Sequence, residues 1–301
     1  MIGYALIDEA LRHKETKIIY AVIRKNSPNR NRIPLDNRIK IIECDMAEYR
    51  TLPDKINDKC DVFFSIAWNG TGPNRDADIQ KQALNISYYI DALRSAKKLG
   101  CNKFIGAGSQ AEYGKLNLSK INELSPISPI QAYGISKYAA GKLCSIEAKK
   151  IDIDFFWVRI FSVYGKYDKS STIISSSIKK LLKKEHMSFT KGEQLWDYLY
   201  SEDAGKAFYL IGDRSTGNKV YCLGSGLSKP LHEYIKELCF AIDPSVSPGI
   251  GELEYKNSTP MDLCADISLL QSDTGWNPIF DFHDGIRKTI AFIKKEENFD
   301  E

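Results

Sequence analysis

DVFFSIA, residues 61–67, decides the fold class. It is an almost unbroken apolar run of strand length. A strand with one wet face alternates apolar and polar residues, whereas a strand covered on both faces does not. Upstream of it, KIIYAVI (17–23) and RIKIIE (38–43) also read as strands. Downstream, KFIG (103–106) and FFWVRI (155–160) complete the set. Helix-period stretches occupy 2–12, 80–99 and 133–149. Strand and helix in repeated alternation predict an α/β fold, a doubly wound, mostly parallel sheet with helices on both faces. Beyond residue 165 the pattern is less regular. Helices are predicted at 170–184, 228–241, 266–274 and 283–295, with GWNP (275–278) between the last two.

Composition narrows the class. At 301 residues, 43% hydrophobic and 27% charged, the chain can bury the core of one large domain with a smaller lobe, which excludes intrinsic disorder. Lys+Arg 42 against Asp+Glu 39 leaves a charge of +3. That balance argues against nucleic acid or an acidic membrane surface as partner. No apolar run approaches the roughly 18 residues that span a bilayer. The start meets Asp8 and Glu9 at once and has no basic leader, unlike a signal peptide. Seven scattered cysteines, with no Cys-x-x-Cys and no Cys/His cluster of metal spacing, read as free thiols in a reducing cytoplasm, and no metal is expected. The four histidines share no motif. The acidic end, 296–301, reads as a solvated tail.

A doubly wound fold opens with a strand, a glycine-rich turn and a helix, and the turn lets a dinucleotide pyrophosphate approach the helix N-terminus. Here IGYALI (2–7) matches only the close of that fingerprint. Gly3 is expected to serve helix–strand packing, and the opening strand and the two phosphate-facing glycines are missing. Losing a central strand would leave backbone groups unpaired at about 1–3 kcal/mol each, against about 5–15 kcal/mol of net stability for a domain. A mis-assigned or shortened start is therefore the expectation. The alternative is a natural short form that has lost cofactor binding.

Tyr133 and Lys137 stand four residues apart and share a helix face. An ammonium beside a phenol is expected to lower the phenol pKa, so that Tyr133 can exchange a proton with a carbinol oxygen while hydride moves to or from a nicotinamide. Tyr138 and Lys142 repeat the spacing about 140° round the helix, so both pairs cannot face one site. The first is chosen. It opens its helix after SPISPIQA (125–132), and it lies 24 residues after Ser109, the strand-end hydroxyl of KFIGAGS. An ordinary amphipathic helix is the alternative.

With these residues in place, the chain resembles the extended short-chain dehydrogenase/reductase family, the NAD(P)-dependent epimerase/dehydratases that modify nucleotide-linked sugars. The resemblance runs nearly end to end. It is carried by Ile2-Gly3, CDM (44–46), FSIA (64–67), Asn85, FIGAGSQAEYG (104–114), Tyr133 with Lys137, VRIFSVYG (158–165), WDYLYSED (196–203) and GWNP (275–278). It implies a Rossmann-like dinucleotide-binding domain over 1–165, with 193–222 returning to it, and a mainly substrate-binding lobe over 166–301. It implies that Tyr133 is the acid/base, that Lys137 holds the nicotinamide ribose and that Ser109 binds the reacting oxygen. Asp45 and Met46 would meet the adenine, Ala67 would line the cofactor floor, and Ser162 and Val163 would lie by the nicotinamide amide. It also implies a homodimer through the helices at 80–99 and 133–149.

Three departures from the family pattern shape the expectation. Arg24-Lys25 stand where NAD-specific members carry an acid, which favours NADP over NAD unless the stretch is a solvated basic loop. Gln110-Ala111 follow Ser109 where dehydratases carry Asp-Glu, which argues against sugar 4,6-dehydration. Trp196 replaces an arginine that clamps a nucleotide phosphate, leaving Arg75 or Lys179 as substitutes. In the loop 67–75, Trp68 either stacks on a sugar, caps the cofactor or packs on the floor, and Asn69 and Thr71 are candidate hydroxyl readers. The leading expectation is an NADP(H)-preferring 4-keto-sugar reductase acting on a nucleotide sugar. A 4-epimerase with retained NAD is the alternative, and a non-catalytic binding remnant is the rival from another class.

Overall fold

The computed structural model describes residues 1–72, 74–116, 118–255 and 262–298, so Pro73 of the loop at 67–75 and 299–301 of the acidic tail lie outside the described residues. The chain opens with α1 (Ile2–Arg12), β1 (Ile19–Ile23), β2 (Ile39–Glu43), a one-turn α2 (Leu52–Lys55) and β3 (Val62–Ser65). α3 (Ile79–Lys98), β4 (Lys103–Ala107), α4 (Ala132–Lys150) and β5 (Asp154–Ile160) follow. Then come β6 (Ser162–Tyr164), α5 (Ile173–Leu182), β7 (Ser188–Phe189), β8 (Leu195–Trp196), β9 (Tyr198–Tyr200) and α6 (Ser201–Arg214). The chain closes with β10 (Asn218–Leu223), β11 (Lys229–Pro230), α7 (Leu231–Ile242), β12 (Gly249–Ile250), α8 (Ser268–Thr274) and α9 (Phe282–Glu296).

β10, β5, β4 and β3 form one sheet in that order, and every neighbouring pair is parallel. The apolar strands are covered on both sides because their successive side chains serve two cores. Phe63, Phe104 and Phe155 are register partners and stack towards α3 and α4, at 5.4 and 6.0 Å between ring centroids. Phe64, Ile105 and Phe156 point the other way, into a core with Leu6 of α1 and Phe208 and Ile211 of α6. This is period-2 alternation with both faces dry. β10 is a strand that the sequence reading leaves out. Its first residues, Asn218 and Lys219, are polar and mask a run that becomes fully buried only at Tyr221–Leu223.

β1 and β2 form a separate parallel pair. Among the described residues no strand pairs with β1 on its side away from β2, or with β3 on its side away from β4. Between them opens a cavity of about 790 Å³, lined by residues that include Gly3, Leu6, Ala21, Phe64 and Ala67. Gly3 does not serve close helix–strand packing, because a Cβ there would meet nothing within 4 Å. The close approach of α1 is made instead to α6, at Gly205, where an added Cβ would stand 2.5 Å from the backbone of Ala5. The other end of α1 is held by Arg38, whose guanidinium donates to the carbonyls of Leu11 (2.8 Å) and His13 (3.3 Å).

The C-terminal lobe has its own core, built from α5, α7 and α9 around the rings of Tyr164, Tyr198, Tyr234 and Phe282. Short strand pairs, β7 with β12 and β8 with β11, border it. Asp197, fully buried after β8, accepts from the amides of Ser225, Gly226 and Ala265 at 2.7, 3.2 and 3.0 Å and so pins two loops at once. All seven cysteines are free thiols. No helix of the described residues is long and apolar enough to cross a membrane.

Gly205→Ala tests the α1–α6 contact. Helix propensity alone favours alanine by about 1 kcal/mol, but pushing packed backbones apart costs about 1–3 kcal/mol. The obstacle is backbone rather than a flexible side-chain tip, so the variant is expected to unfold at lower urea and lower temperature than the parent. A raised Tm would show that the two helices do not meet in this way.

Candidate active site

β4 delivers the chain through Gly108 to Ser109, which starts a 3-10 turn over Gln110–Glu112. Ser109 and Glu112 form a capping box: the Ala111 amide donates to Ser109 Oγ (3.2 Å) and the Ser109 amide donates to Glu112 Oε1 (2.8 Å). The Ser109 hydroxyl donates to Gln110 Oε1 at 3.4 Å, which places Gln110 beside it.

α4 begins at Ala132, so Tyr133 lies in its first turn, and its amide donates to Asp76 Oδ1 at 2.8 Å. The structure brings Tyr133 and Ser109 together, close enough for the Ser109 hydroxyl to pull the phenol pKa down. Both residues are about nine-tenths buried. The Arg75 guanidinium lies 4.3 Å from the Tyr133 ring centroid and donates to Gln131 Oε1 at 3.3 Å, so it closes over the phenol. The second pair goes elsewhere: Tyr138 and Lys142 line a small surface cavity with Asn218 and Lys219 that reaches Glu112 but includes neither Ser109 nor Tyr133.

Lys137, expected to hold the nicotinamide ribose, is enclosed by protein here. Its Nζ donates to the Ala107 carbonyl at 2.5 Å and lies 3.9 Å from the ring centre of Trp68. Tyr89, Tyr133 and Trp157 complete an aromatic cage at 5.4, 5.9 and 5.9 Å. Burial pushes the Lys137 pKa down to about 7, against the opposing charge of Glu112. The Tyr133 phenol is not lowered as its neighbouring lysine suggests. Burial raises it above its ordinary value, outweighing the Ser109 hydrogen bond and the Arg75 charge that pull it down.

Trp68 is unavailable for stacking on a sugar. It is buried, its indole donates to Gln82 Oε1 at 2.8 Å, and its ring roofs Lys137. Asn69 and Thr71 remain exposed. The Asn69 backbone is held by Asn85, whose side chain accepts from its amide (2.8 Å) and donates to its carbonyl (3.0 Å). Lys169, from the loop after β6, donates to the Thr71 carbonyl at 2.8 Å and bridges across to this loop. Trp196 is half-buried on β8 and packs between the core of Leu6 and Phe208 and the core of the C-terminal lobe. Of the two substitute phosphate clamps, Lys179 is engaged by Glu297, whereas Arg75 stands at the site.

The positions expected to meet a dinucleotide fall at or near strand ends. Ala67 follows β3 and lines the large cavity with Met1 and Gly3. Asp45 is exposed at the end of β2 and Met46 is half-buried beside it. Ser162 and Val163 are half-buried on β6. Arg24 is exposed just past β1, while Arg30 is engaged by Glu43 at 2.7 Å. These residues fit a nicotinamide dinucleotide. The open space at Gly3 leaves room at the first turn of α1, whose N-terminus carries no side-chain cap. Asp281, His283 and Asp284 cluster at the exposed start of α9, where Asp281 caps the helix through the Asp284 amide.

Sequence reasoning missed the residues beneath the site. Glu112 is fully buried and accepts from Ser109, from the Trp157 indole (2.8 Å) and from Arg159 Nε (2.9 Å). The signal was present as Ser-x-x-Glu at 109–112. Trp157 fills the space that a Cβ at Gly141 would need, at 2.7 Å.

Comparison with known proteins agrees with this architecture. The GDP-L-colitose synthase of Yersinia pseudotuberculosis is 26% identical over 235 residues, covering 72% of this chain and 75% of its own. The fold is similar to that of UDP-N-acetylglucosamine 4-epimerase from Methanobrevibacter ruminantium M1, solved with UDP-N-acetylmuramic acid. That match has a TM-score of 0.88 and 19% identity, over 98% of this chain and 96% of the other. It is also similar to UDP-glucose 4-epimerase from Thermotoga maritima, solved with UDP-glucose, with a TM-score of 0.85 and 19% identity over 99% and 96%. Such end-to-end matches give no support to the expectation of a shortened fold. The profile of the NAD dependent epimerase/dehydratase family matches residues 1–224. The chain therefore belongs to that family, the extended short-chain dehydrogenases/reductases that modify nucleotide sugars.

Proposed function

We propose that this protein reduces a keto group on a nucleotide-linked sugar, with a 4-keto sugar as the fitting substrate and NADPH as the reductant. The observation that carries the reading is the convergence of Tyr133, in the first turn of α4, on Ser109 at the end of β4, a phenol and a hydroxyl set to bind one carbonyl oxygen and protonate it. The bound nicotinamide supplies the hydride. Ser109 orients the carbonyl oxygen, Tyr133 transfers its phenolic proton to that oxygen, and the carbonyl becomes a carbinol. Tyr133 then recovers a proton from solvent. Arg75, over the Tyr133 ring, stabilises the transient phenolate.

The 4-epimerase reading is favoured by the structures that match the fold, two of which are named as 4-epimerases. That reaction starts by removing a hydroxyl proton and would use the same Tyr133 and Ser109, so it differs from the reduction in consuming no cofactor. The non-catalytic reading is opposed by the convergence of Ser109 and Tyr133, which packing alone does not require. NADP(H) over NAD(H) rests on Arg24, which is exposed at the carboxyl end of β1 with no partner among the described residues. A homodimer rests on the apolar side chains that α3 and α4 leave in solvent, Leu84, Ile135, Leu143 and Ile146, each about half exposed.

With a panel of nucleotide 4-keto sugars, one NADPH is expected to be consumed per sugar reduced. Interconversion of two sugar epimers with no cofactor consumed would instead establish the epimerase. Tyr133→Phe should lower kcat about 10²–10⁴-fold with the fold intact by circular dichroism, and Tyr138→Phe should leave it within twofold. Equal losses would move the site to the other pair. In titrations by nicotinamide fluorescence, Arg24→Asp should weaken NADPH binding about tenfold, as a charge reversal beside a 2′-phosphate does, and leave NADH binding unchanged. Equal effects would return Arg24 to the solvated surface. Leu143→Glu should convert a dimer to a monomer in light scattering, and a parent chain that is already monomeric removes the homodimer.

A further inference from the structure

The geometry points to Glu112 as the positioning residue of this site, fixing Ser109 against Tyr133 and supplying the counter-charge for Lys137. The assignment rests on Ser109, Tyr133 and Lys137 being the catalytic group. Its test is chosen so that it can be read without turnover.

Three of the Glu112 contacts carry the argument. The carboxylate is fully buried and every partner is a donor: the Ser109 amide at 2.8 Å, the Trp157 indole at 2.8 Å and Arg159 Nε at 2.9 Å. No acceptor stands by to receive a carboxyl proton, so the group is held as the anion. Burial pushes its pKa up, and Arg159 with the three donors acts against that push. The bond to the Ser109 amide fixes the residue whose hydroxyl meets the Tyr133 phenol. A rotation of Ser109 by a few tens of degrees would break that contact, and misplacement of about 1 Å at a reacting group costs as much as 10²-fold in rate.

The second role is electrostatic. Lys137 is as deeply buried as Glu112, and its immediate shell holds no anion. α3 contributes Tyr89, the loop after β3 contributes Trp68, β4 contributes the Ala107 carbonyl, β5 contributes Trp157, and α4 itself contributes Tyr133. The remaining charged groups nearby are Arg159, which is paired with Glu112, and Arg75 and Asp76, which face Tyr133. Glu112 is the one charge that acts appreciably on the Lys137 ammonium, and it favours the protonated form. Aromatic faces attract a cation but carry no net charge. A lysine with a pKa near 7 is poised to lose its proton at working pH, so the distant carboxylate decides how much of it stays charged.

Two variants of the full chain separate the roles. Glu112→Asp keeps the charge and withdraws it by one methylene. Amide exchange at Ser109 is expected to accelerate at least tenfold, and the Lys137 titration, followed by the NMR shift of its Cε and assigned by loss of the signal in Lys137→Arg, is expected to stay near pH 7. Where turnover is measurable, kcat falls about tenfold with KM unchanged. Glu112→Gln keeps the reach and removes the charge, and the Lys137 midpoint is expected to drop by about one pH unit. Turnover is then lost at correspondingly lower pH as the pH is raised, because the ammonium is neutralised earlier. Native Ser109 protection in Glu112→Asp, or a native Lys137 midpoint in folded Glu112→Gln, overturns the assignment. Should Glu112→Gln fail to fold, the Glu112→Asp exchange measurement decides alone. An absence of any turnover leaves both NMR readings intact and counts against the proposed reaction instead.

Discussion

A buried ion pair holds the middle of this molecule together. Glu112 and Arg159 meet at 2.9 Å with 0% and 4% of their side chains exposed. Desolvating two charges costs several kcal/mol each, and their attraction offsets this only when the remaining donors and acceptors are also satisfied. Here they are. Trp157 and the Ser109 amide complete the carboxylate, while the Tyr113 hydroxyl and the Glu123 carbonyl accept from Arg159 Nη1 at 3.0 and 3.3 Å. The pair joins β5 to the turn after β4, and through Tyr113 it reaches Cys222 of β10. Removing either partner leaves the other charge buried and unpaired, which costs about 3–5 kcal/mol. The network thus ties together at one end the strands β4, β5 and β10 that the backbone ladders already align.

The sheet was legible in the sequence because its strands are dry on both faces. DVFFSIA and FFWVRI carry no polar interruption that a one-sided strand would require, and their residues divide between two cores. NKVYCL was not legible. Its two leading polar residues leave a run too short to distinguish from a loop, and only pairing with β5 makes it a strand. The role given to Gly3 failed for a related reason. A glycine in a helix signals a close approach, but which glycine makes one depends on the neighbour, and the neighbour of α1 presses on Gly205 instead. The separation of β1 and β2 from the other four strands is likewise a matter of which strands pair, which no local pattern records.

At the site the divide is between what spacing reports and what burial reports. A spacing of four positions from phenol to amine fixes a shared helix face, and a strand-end serine fixes a neighbour for the phenol. Neither says where the ammonium points. Lys137 turns into a cage closed by Trp68, a residue that the loop sequence left open between substrate, cofactor and core. The cage forms because Gln82 and Asn85 on α3 anchor the loop from beneath, through the Trp68 indole and both backbone groups of Asn69. Asn85 and the apolar run of β3 were each visible. That they act jointly to set a tryptophan over a lysine is a three-body fact, and a pairwise reading of motifs does not reach it.

The pKa pattern follows from the same packing and constrains the chemistry. A phenol and an amine this close are usually read as one acid/base unit in which the cation stabilises the phenolate. Here desolvation is the largest influence on both groups, and it acts on them in opposite senses: the phenol rises and the ammonium falls. Each shift favours the neutral form, and both are consistent with a site that excludes water and carries little net charge apart from the Glu112–Arg159 pair. In such a site a developing alkoxide finds a proton on Tyr133 and a hydrogen-bonding hydroxyl on Ser109, whereas a sugar hydroxyl finds no base until the phenol has been ionised. The desolvation of Lys137 is the work of Trp68, Tyr89 and Trp157, which enclose its ammonium, so residues outside the Ser109–Tyr133 pair shape the electrostatics of the site.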